Sequence, residues 1–182
     1  MQITRRHALG LGLAGGALLA LGGLGLALKA SRLRPPSRPL LVMTPAQFSV
    51  MAAISERVNP GGDGFPAASE LSVAEDIDVL LSTLPPGLAA ELQQAMDLVE
   101  NALANMVLEG DWETFTGSPP ERQDRVWASW ASSDLETRRT VYKALTGLAT
   151  ATYWASPRIW EAVGYGGPPD TRGLPPAIGA QR

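Results

Sequence analysis

GLAAELQQAMDLVENALANMVL, residues 87–108, is the stretch whose reading decides the fold class. Leu88, Leu92, Met96, Val99, Leu103 and Val107 follow one another at spacings of four and three. On a backbone with 3.6 residues per turn that pattern gathers them into one apolar stripe, so the stretch predicts the longest helix of the chain, about Gly87 to Leu108. Pro85-Pro86 ends whatever precedes it. Upstream, Ser72-Val73-Ala74-Glu75 has capping-box spacing and predicts a helix through Leu80 and Leu81. Further upstream, Thr44-Pro45 offers an N-cap followed by proline at the first helical position, with Phe48, Met51, Ala52, Ile54 and Val58 as its apolar face and Asn59-Pro60 as its stop.

Downstream the same punctuation recurs. Ser118-Pro119-Pro120-Glu121 has capping-box spacing ahead of Val126, Trp127 and Trp130, and Ser133 stands three residues before Glu136 ahead of Val141, Leu145, Leu148 and Thr152. Ser156-Pro157 caps a short last helix that ends at Gly164. No stretch sustains the period-two alternation of a half-buried strand. The reading is an all-α domain of about five to six helices over residues 44–165. A signal or anchor helix occupies residues 1–30, a basic, proline-containing linker residues 31–43, and a Gly/Pro-rich tail residues 166–182.

The charge is unevenly placed. No acid precedes Glu56, while Arg5, Arg6, Lys29, Arg32, Arg34 and Arg38 all lie in the first 38 residues. Residues 39–182 hold nine of the fifteen bases against all eighteen acids, a net of −9 where the whole chain shows −3. Such a body is repelled by phosphate backbones, which excludes nucleic acid as a partner. There is no cysteine, and the only histidine is His7. Beyond the leader the chain therefore has neither imidazole nor thiol for general-base catalysis, zinc or haem ligation. The carboxylates Glu75, Asp76 and Asp78 gather at a helix start, where acids favour the helix dipole, and Glu109, Asp111 and Glu113 gather near the end of the long helix. Both groups read as solvated surface. Asn59-Pro60-Gly61-Gly62-Asp63-Gly64 lacks the alternating oxygen ligands and terminal glutamate of a calcium loop and reads as a turn.

The N-terminus carries an address. Thr4-Arg5-Arg6-His7-Ala8-Leu9 precedes an uncharged run from Ala8 to Leu28 of nine leucines, seven glycines and five alanines. A pair of arginines followed by a glycine-diluted apolar run resembles a twin-arginine signal peptide, with Arg5 and Arg6 as the export signal. Twenty-one residues at 1.5 Å each also reach across about 30 Å of hydrocarbon, so the same run can stay in the chain as an anchor. Gly25-Leu26-Ala27 is a small-x-small site inside the run, and Leu28-Lys29-Ala30 has a large residue at its first position. A glycine-rich match to the dinucleotide fingerprint at Gly10–Gly15 lacks the preceding strand and the acid about twenty residues on, and carries no weight.

Trp127, Trp130, Trp154, Trp160, Tyr153 and Tyr165 concentrate in the C-terminal third. A domain of this size packs most such rings in its core. Tryptophan and tyrosine are also over-represented at interface hot spots, which makes Trp154, Trp160 and Tyr165 the candidate partner interface.

Taken in order, Leu41-Val42-Met43-Thr44-Pro45, Arg57-Val58-Asn59-Pro60-Gly61-Gly62-Asp63-Gly64-Phe65-Pro66, Asp76-Ile77-Asp78, Tyr153-Trp154-Ala155-Ser156-Pro157 and Trp160-Glu161-Ala162-Val163-Gly164-Tyr165 resemble the gluconate 2-dehydrogenase subunit 3 family. The resemblance implies a non-catalytic small subunit of a periplasmic, membrane-associated, FAD-dependent sugar or alcohol dehydrogenase. In that arrangement this chain holds no cofactor. A larger glucose-methanol-choline-type subunit holds the FAD, and a cytochrome c subunit with haem c takes the electrons. The small subunit carries the leader for the already folded flavoprotein through the twin-arginine translocase. A stand-alone exported or membrane-anchored helical binding protein is the alternative that the residues themselves leave open.

Overall fold

Thr44 and Gln47 open the first helix by satisfying each other's backbone. The Thr44 hydroxyl accepts from the Gln47 N–H at 3.2 Å, and the Gln47 side-chain oxygen accepts from the Thr44 N–H at 2.9 Å. With Pro45 at the first position, this capping box fixes where α1 begins. The computed structural model describes residues 32–101 and 114–167. Over these residues the chain forms α1 (Pro45–Val58), a 3-10 turn (Ala68–Leu71), α2 (Val73–Thr83), α3 (Pro86–Glu100), α4 (Pro120–Ala131), α5 (Glu136–Trp154) and α6 (Pro157–Ala162). The described residues are all-α. The leader with Arg5 and Arg6, the tail beyond Gly167, and the second acidic group at Glu109, Asp111 and Glu113 lie outside them.

α1 is the hub. Phe48, Val50, Met51, Ala53 and Ile54 are all buried, so the helix is apolar nearly all round, which suits only an element covered on every side. It packs against α2, α3, α4 and α5. Ile77 and Leu81 of α2, Met96 and Val99 of α3, and Leu145 and Ala149 of α5 complete the core. An aromatic group fills the α4–α5 side: Trp127 stands 5.0 Å from Tyr142, 6.0 Å from Trp130 and 6.2 Å from Phe115, ring centre to ring centre. The Arg138 guanidinium lies 5.1 Å from the Trp130 ring centre in cation–π geometry.

Four sequence-predicted side-chain caps do not form. Ser72 stands at the start of α2 but also ends the 3-10 turn, its N–H reaching the carbonyls of Ala68 and Ser69. That duty puts it in the left-handed region (φ 54°), where no side-chain cap forms, because capping needs extended backbone. Ser118 turns its hydroxyl back to the Thr114 carbonyl at 2.9 Å, leaving the cap position of α4 to Pro119. The Ser133 hydroxyl accepts from the Leu135 N–H, and Leu135 caps α5 without a side-chain bond. Ser156 holds the N-cap position of α6 without a side-chain bond, leaving Pro157 at the first helical position to set the start.

The long helix is also shorter than its periodicity predicts. Asn101 leaves the helical region (φ −66°, ψ 109°) and ends α3 at Glu100. Leu103 and Val107 fall outside the described residues. At this end the buried Glu100 carboxylate accepts from the backbone N–H of Thr116 at 2.9 Å and from its hydroxyl at 2.5 Å. Those bonds tie the end of α3 to the segment that leads into α4.

Candidate partner interface

Trp154, Trp160 and Tyr165 come together on one surface. The last turn of α5 prepares it: Tyr153 and Trp154 are consecutive, about 100° apart around the helix, so one turns in and the other out. Tyr153 is 4% exposed and Trp154 47%. Ser156-Pro157 then starts α6, which the fully buried Ile159 pins to the core. This brings the Trp160 indole N–H to the Trp154 carbonyl at 2.7 Å, satisfying an acceptor that the end of α5 leaves without an intrahelical partner. Gly164 reverses the chain in the left-handed region (φ 70°), and the Tyr165 N–H bonds the Trp160 carbonyl at 2.8 Å. The rings of Trp160 and Tyr165 meet edge to face at 5.9 Å. Tyr165 itself is 50% exposed.

A fourth ring arrives from the far side of the sequence. The Asn59–Gly64 stretch is a turn, as its composition predicts. Gly62 and Phe65 exchange two backbone hydrogen bonds of 2.9 Å across Asp63 (φ 53°) and Gly64 (φ 89°), the geometry of a type I′ turn. Gly61 is fixed by close approach: a Cβ there would lie 2.7 Å from the Ala67 nitrogen. The turn delivers Phe65 edge-on to Trp154, ring centres 6.2 Å apart, and the Tyr153 hydroxyl holds the adjacent Pro66 carbonyl at 2.8 Å. Burial raises the Tyr153 pKa, with the Glu70 charge adding to the effect, so this hydroxyl stays a donor over the ordinary pH range. Phe65 is the ring of this surface that sequence spacing does not single out, since nothing local joins it to Trp154.

The acids at α2 have a different role from the solvated surface their composition suggests. Asp78, 2% exposed, accepts three consecutive backbone N–H groups: Leu41 at 2.5 Å, Val42 at 3.1 Å and Met43 at 2.8 Å. Glu75, also buried, accepts from the N–H and hydroxyl of Ser37, and Asp76 pairs with Arg38 at 2.7 Å. Arg34 adds an ion pair with Glu56 at 2.7 Å, and its own N–H reaches the Ser49 hydroxyl. Residues 32–43, expected as a linker, are thus a strap bonded along α1 and α2, with Met43 in the core. The physical reason is supply and demand: a segment without secondary structure has orphan N–H groups, and carboxylates satisfy them with charge-assisted bonds. Between strap and helices lies a cleft of about 230 Å³, lined by Arg34, Ser37, Phe48, Ser55, Glu56 and Glu75 among others.

Among the described residues no group of three or more His, Asp or Glu side chains is placed to hold a metal ion, and no helix is long and apolar enough to cross a membrane. Comparison with family models, with curated proteins and with solved structures finds no match.

Proposed function

We propose that this chain is the leader-bearing, non-catalytic small subunit of a periplasmic, membrane-associated FAD-dependent dehydrogenase, escorting the folded flavoprotein subunit through the twin-arginine translocase. The observation that carries the reading is the aromatic surface built from Phe65, Trp154, Trp160 and Tyr165. A half-exposed indole leaves about 120 Å² in water, worth roughly 3 kcal/mol if a partner covered it. Trp154 and Tyr165 are therefore suited to a hot spot, held in place by the polar and ring contacts beneath them. The order of the motifs that resemble the gluconate 2-dehydrogenase subunit 3 family and the Arg5-Arg6 leader support a flavoprotein as that partner, with a cytochrome c subunit in the proposed assembly.

The alternative, a stand-alone binding protein, would use the cleft beneath the strap. At about 230 Å³ it is below the roughly 300–1,000 Å³ of usual small-molecule sites, so the outer aromatic surface is the better supported contact. The test is to look beside this chain's gene for a flavoprotein without a leader and to measure its binding by pull-down. Trp154→Ala should weaken the complex about 30-fold or more, the scale of a 2 kcal/mol hot spot, while leaving helicity unchanged. Undiminished binding by Trp154→Ala and Tyr165→Ala together would remove this surface from the interface.

A further inference from the structure

We propose that the cleft between the strap and α1 is a binding site for an alkylammonium group, the charged end of a small aliphatic amine or of a lysine side chain. The inference is independent of the escort reading and holds whether or not the chain has a flavoprotein partner. Its first basis is a hydroxyl with nothing to bond. Ser49 and Ser55 are both buried on α1, at 0% and 2% exposure. Ser49 turns its hydroxyl back to the Pro45 carbonyl at 2.7 Å, a common solution for a serine inside a helix. Ser55, which lines the cleft, makes no such bond, and its oxygen has no hydrogen-bond partner. A buried polar atom in that state costs stability unless something in the cleft satisfies it.

The second basis is a carboxylate without a cation. Glu75, 8% exposed, lines the same cleft. Its Oε1 accepts both Ser37 bonds, and among the described residues no donor reaches Oε2 and no Lys or Arg pairs with the group. Glu56 is different, since Arg34 holds it at 2.7 Å and Arg57 stands 4.0 Å away. Of the charges lining the cleft, Arg34 stands against Glu56 and Glu75, a formal net of −1. A buried charge left without a partner is costly, so the cleft favours a cation. Phe48, Ala68 and Val73, all buried, make much of the remaining wall apolar. Such a wall suits methylene groups better than a calcium or magnesium ion, which takes about six oxygen ligands. An ammonium brings three N–H donors to acceptors that the cleft leaves open, Glu75 Oε2 and the Ser55 hydroxyl among them. At about 230 Å³ the cleft has room for a chain of a few carbons, far more than the roughly 10–15 Å³ that admits one water. Pro35, Ser37 and Ser69 are exposed at its edge, which leaves a way in.

The test is a titration, followed by NMR, of the isotope-labelled full chain in a neutral detergent. Butylammonium chloride is added up to about 20 mM, some twentyfold above an expected Kd of about 1 mM. The expected result is saturable movement of the Ser37 and Ser55 amide signals, with no such response to butanol, butyrate or sodium chloride at the same concentrations. Glu75→Gln keeps an oxygen for Ser37 and should weaken binding at least about tenfold. Ser55→Ala should weaken it by a similar factor without lowering the melting temperature, since that hydroxyl has no bond to lose. A lysine blocked at its backbone amine and carboxyl identifies the source. Binding as tight as that of butylammonium assigns the cleft to a lysine side chain of a partner, and binding by the free amine alone assigns it to a small molecule. An equal response to butanol, a response that never saturates, or undiminished binding by both variants overturns the proposal.

Discussion

The Tyr153 hydroxyl donates to the Pro66 carbonyl at 2.8 Å, joining residues 87 apart in the chain and fixing the turn that presents Phe65 to the Trp154 ring. Tyr153 sits beneath the surface while Trp154, its neighbour, forms part of that surface. The two consecutive residues link the core to the proposed interface.

Tyr153→Phe removes that donor and leaves the Pro66 carbonyl without this partner. A loss of about 1 kcal/mol in stability is expected, the usual scale for one such bond. The more telling effect is on Phe65, which loses its register against Trp154. Denaturant titration should show the stability change, and tryptophan fluorescence should show a more solvated Trp154 before the unfolding transition. An unchanged spectrum would mean that the turn holds Phe65 in place without Tyr153.

Asp78→Ala leaves three strap N–H groups without their buried acceptor. Each hydrogen bond to a charged group contributes about 1.5–3 kcal/mol, so a total loss of about 3 kcal/mol or more is expected. Asp78→Asn keeps an acceptor oxygen and should cost less. Removal of residues 1–43 should destabilise the domain by a similar order, because it takes away Met43 and every strap bond. Thermal unfolding checks all three. A domain beginning at Thr44 that melts with the longer chain would show that the strap is dispensable.

Asp97 gives the domain a pH dependence of definite sign. Burial raises its pKa above 3.8, and the hydrogen bonds from the Gln47 amide, 3.1 Å to each carboxylate oxygen, offset part of that rise. The folded state therefore holds a proton on this group more tightly than the unfolded chain does. Its contribution to stability is full below the unfolded pKa and is lost as pH rises through the folded value. Asp97→Asn should accordingly be more stable than the natural chain at neutral pH, and the advantage should shrink on acidification toward pH 4. Urea midpoints at the two pH values measure it. A variant less stable at neutral pH would assign the ionised carboxylate a favourable role.

How much of this was legible in the sequence differs from element to element. Thr44-Pro45, Asn59-Pro60 and Ser156-Pro157 place helix boundaries because proline and capping residues act within one turn, and the apolar period of residues 88–99 is strong enough to give its helix. The sequence around Ser72, Ser118, Ser133 and Ser156 predicts side-chain caps that do not form, since local sequence does not fix the backbone angles and hydroxyl direction a cap needs. Asp78 is the clearest case of hidden information. A carboxylate in the first turns of a helix suits the dipole and suits water equally well, and its three bonds reach residues 35–37 positions away. The aromatic surface is legible in part: Trp154, Trp160 and Tyr165 are close in sequence, whereas Phe65 joins them only through the turn and Tyr153.

The escort role is tested most directly by flavin in the periplasm. Cells would co-express this chain with a flavoprotein encoded beside it that lacks any leader of its own, and flavin fluorescence would be measured in the periplasmic and membrane fractions. The account predicts flavoprotein there with the natural chain and its retention in the cytoplasm when Arg5 and Arg6 are both replaced by lysine, because an ammonium cannot reproduce the planar, multi-donor contacts of a guanidinium. Flavoprotein that reaches the periplasm equally well with the double-lysine chain, or with no small subunit at all, would contradict it.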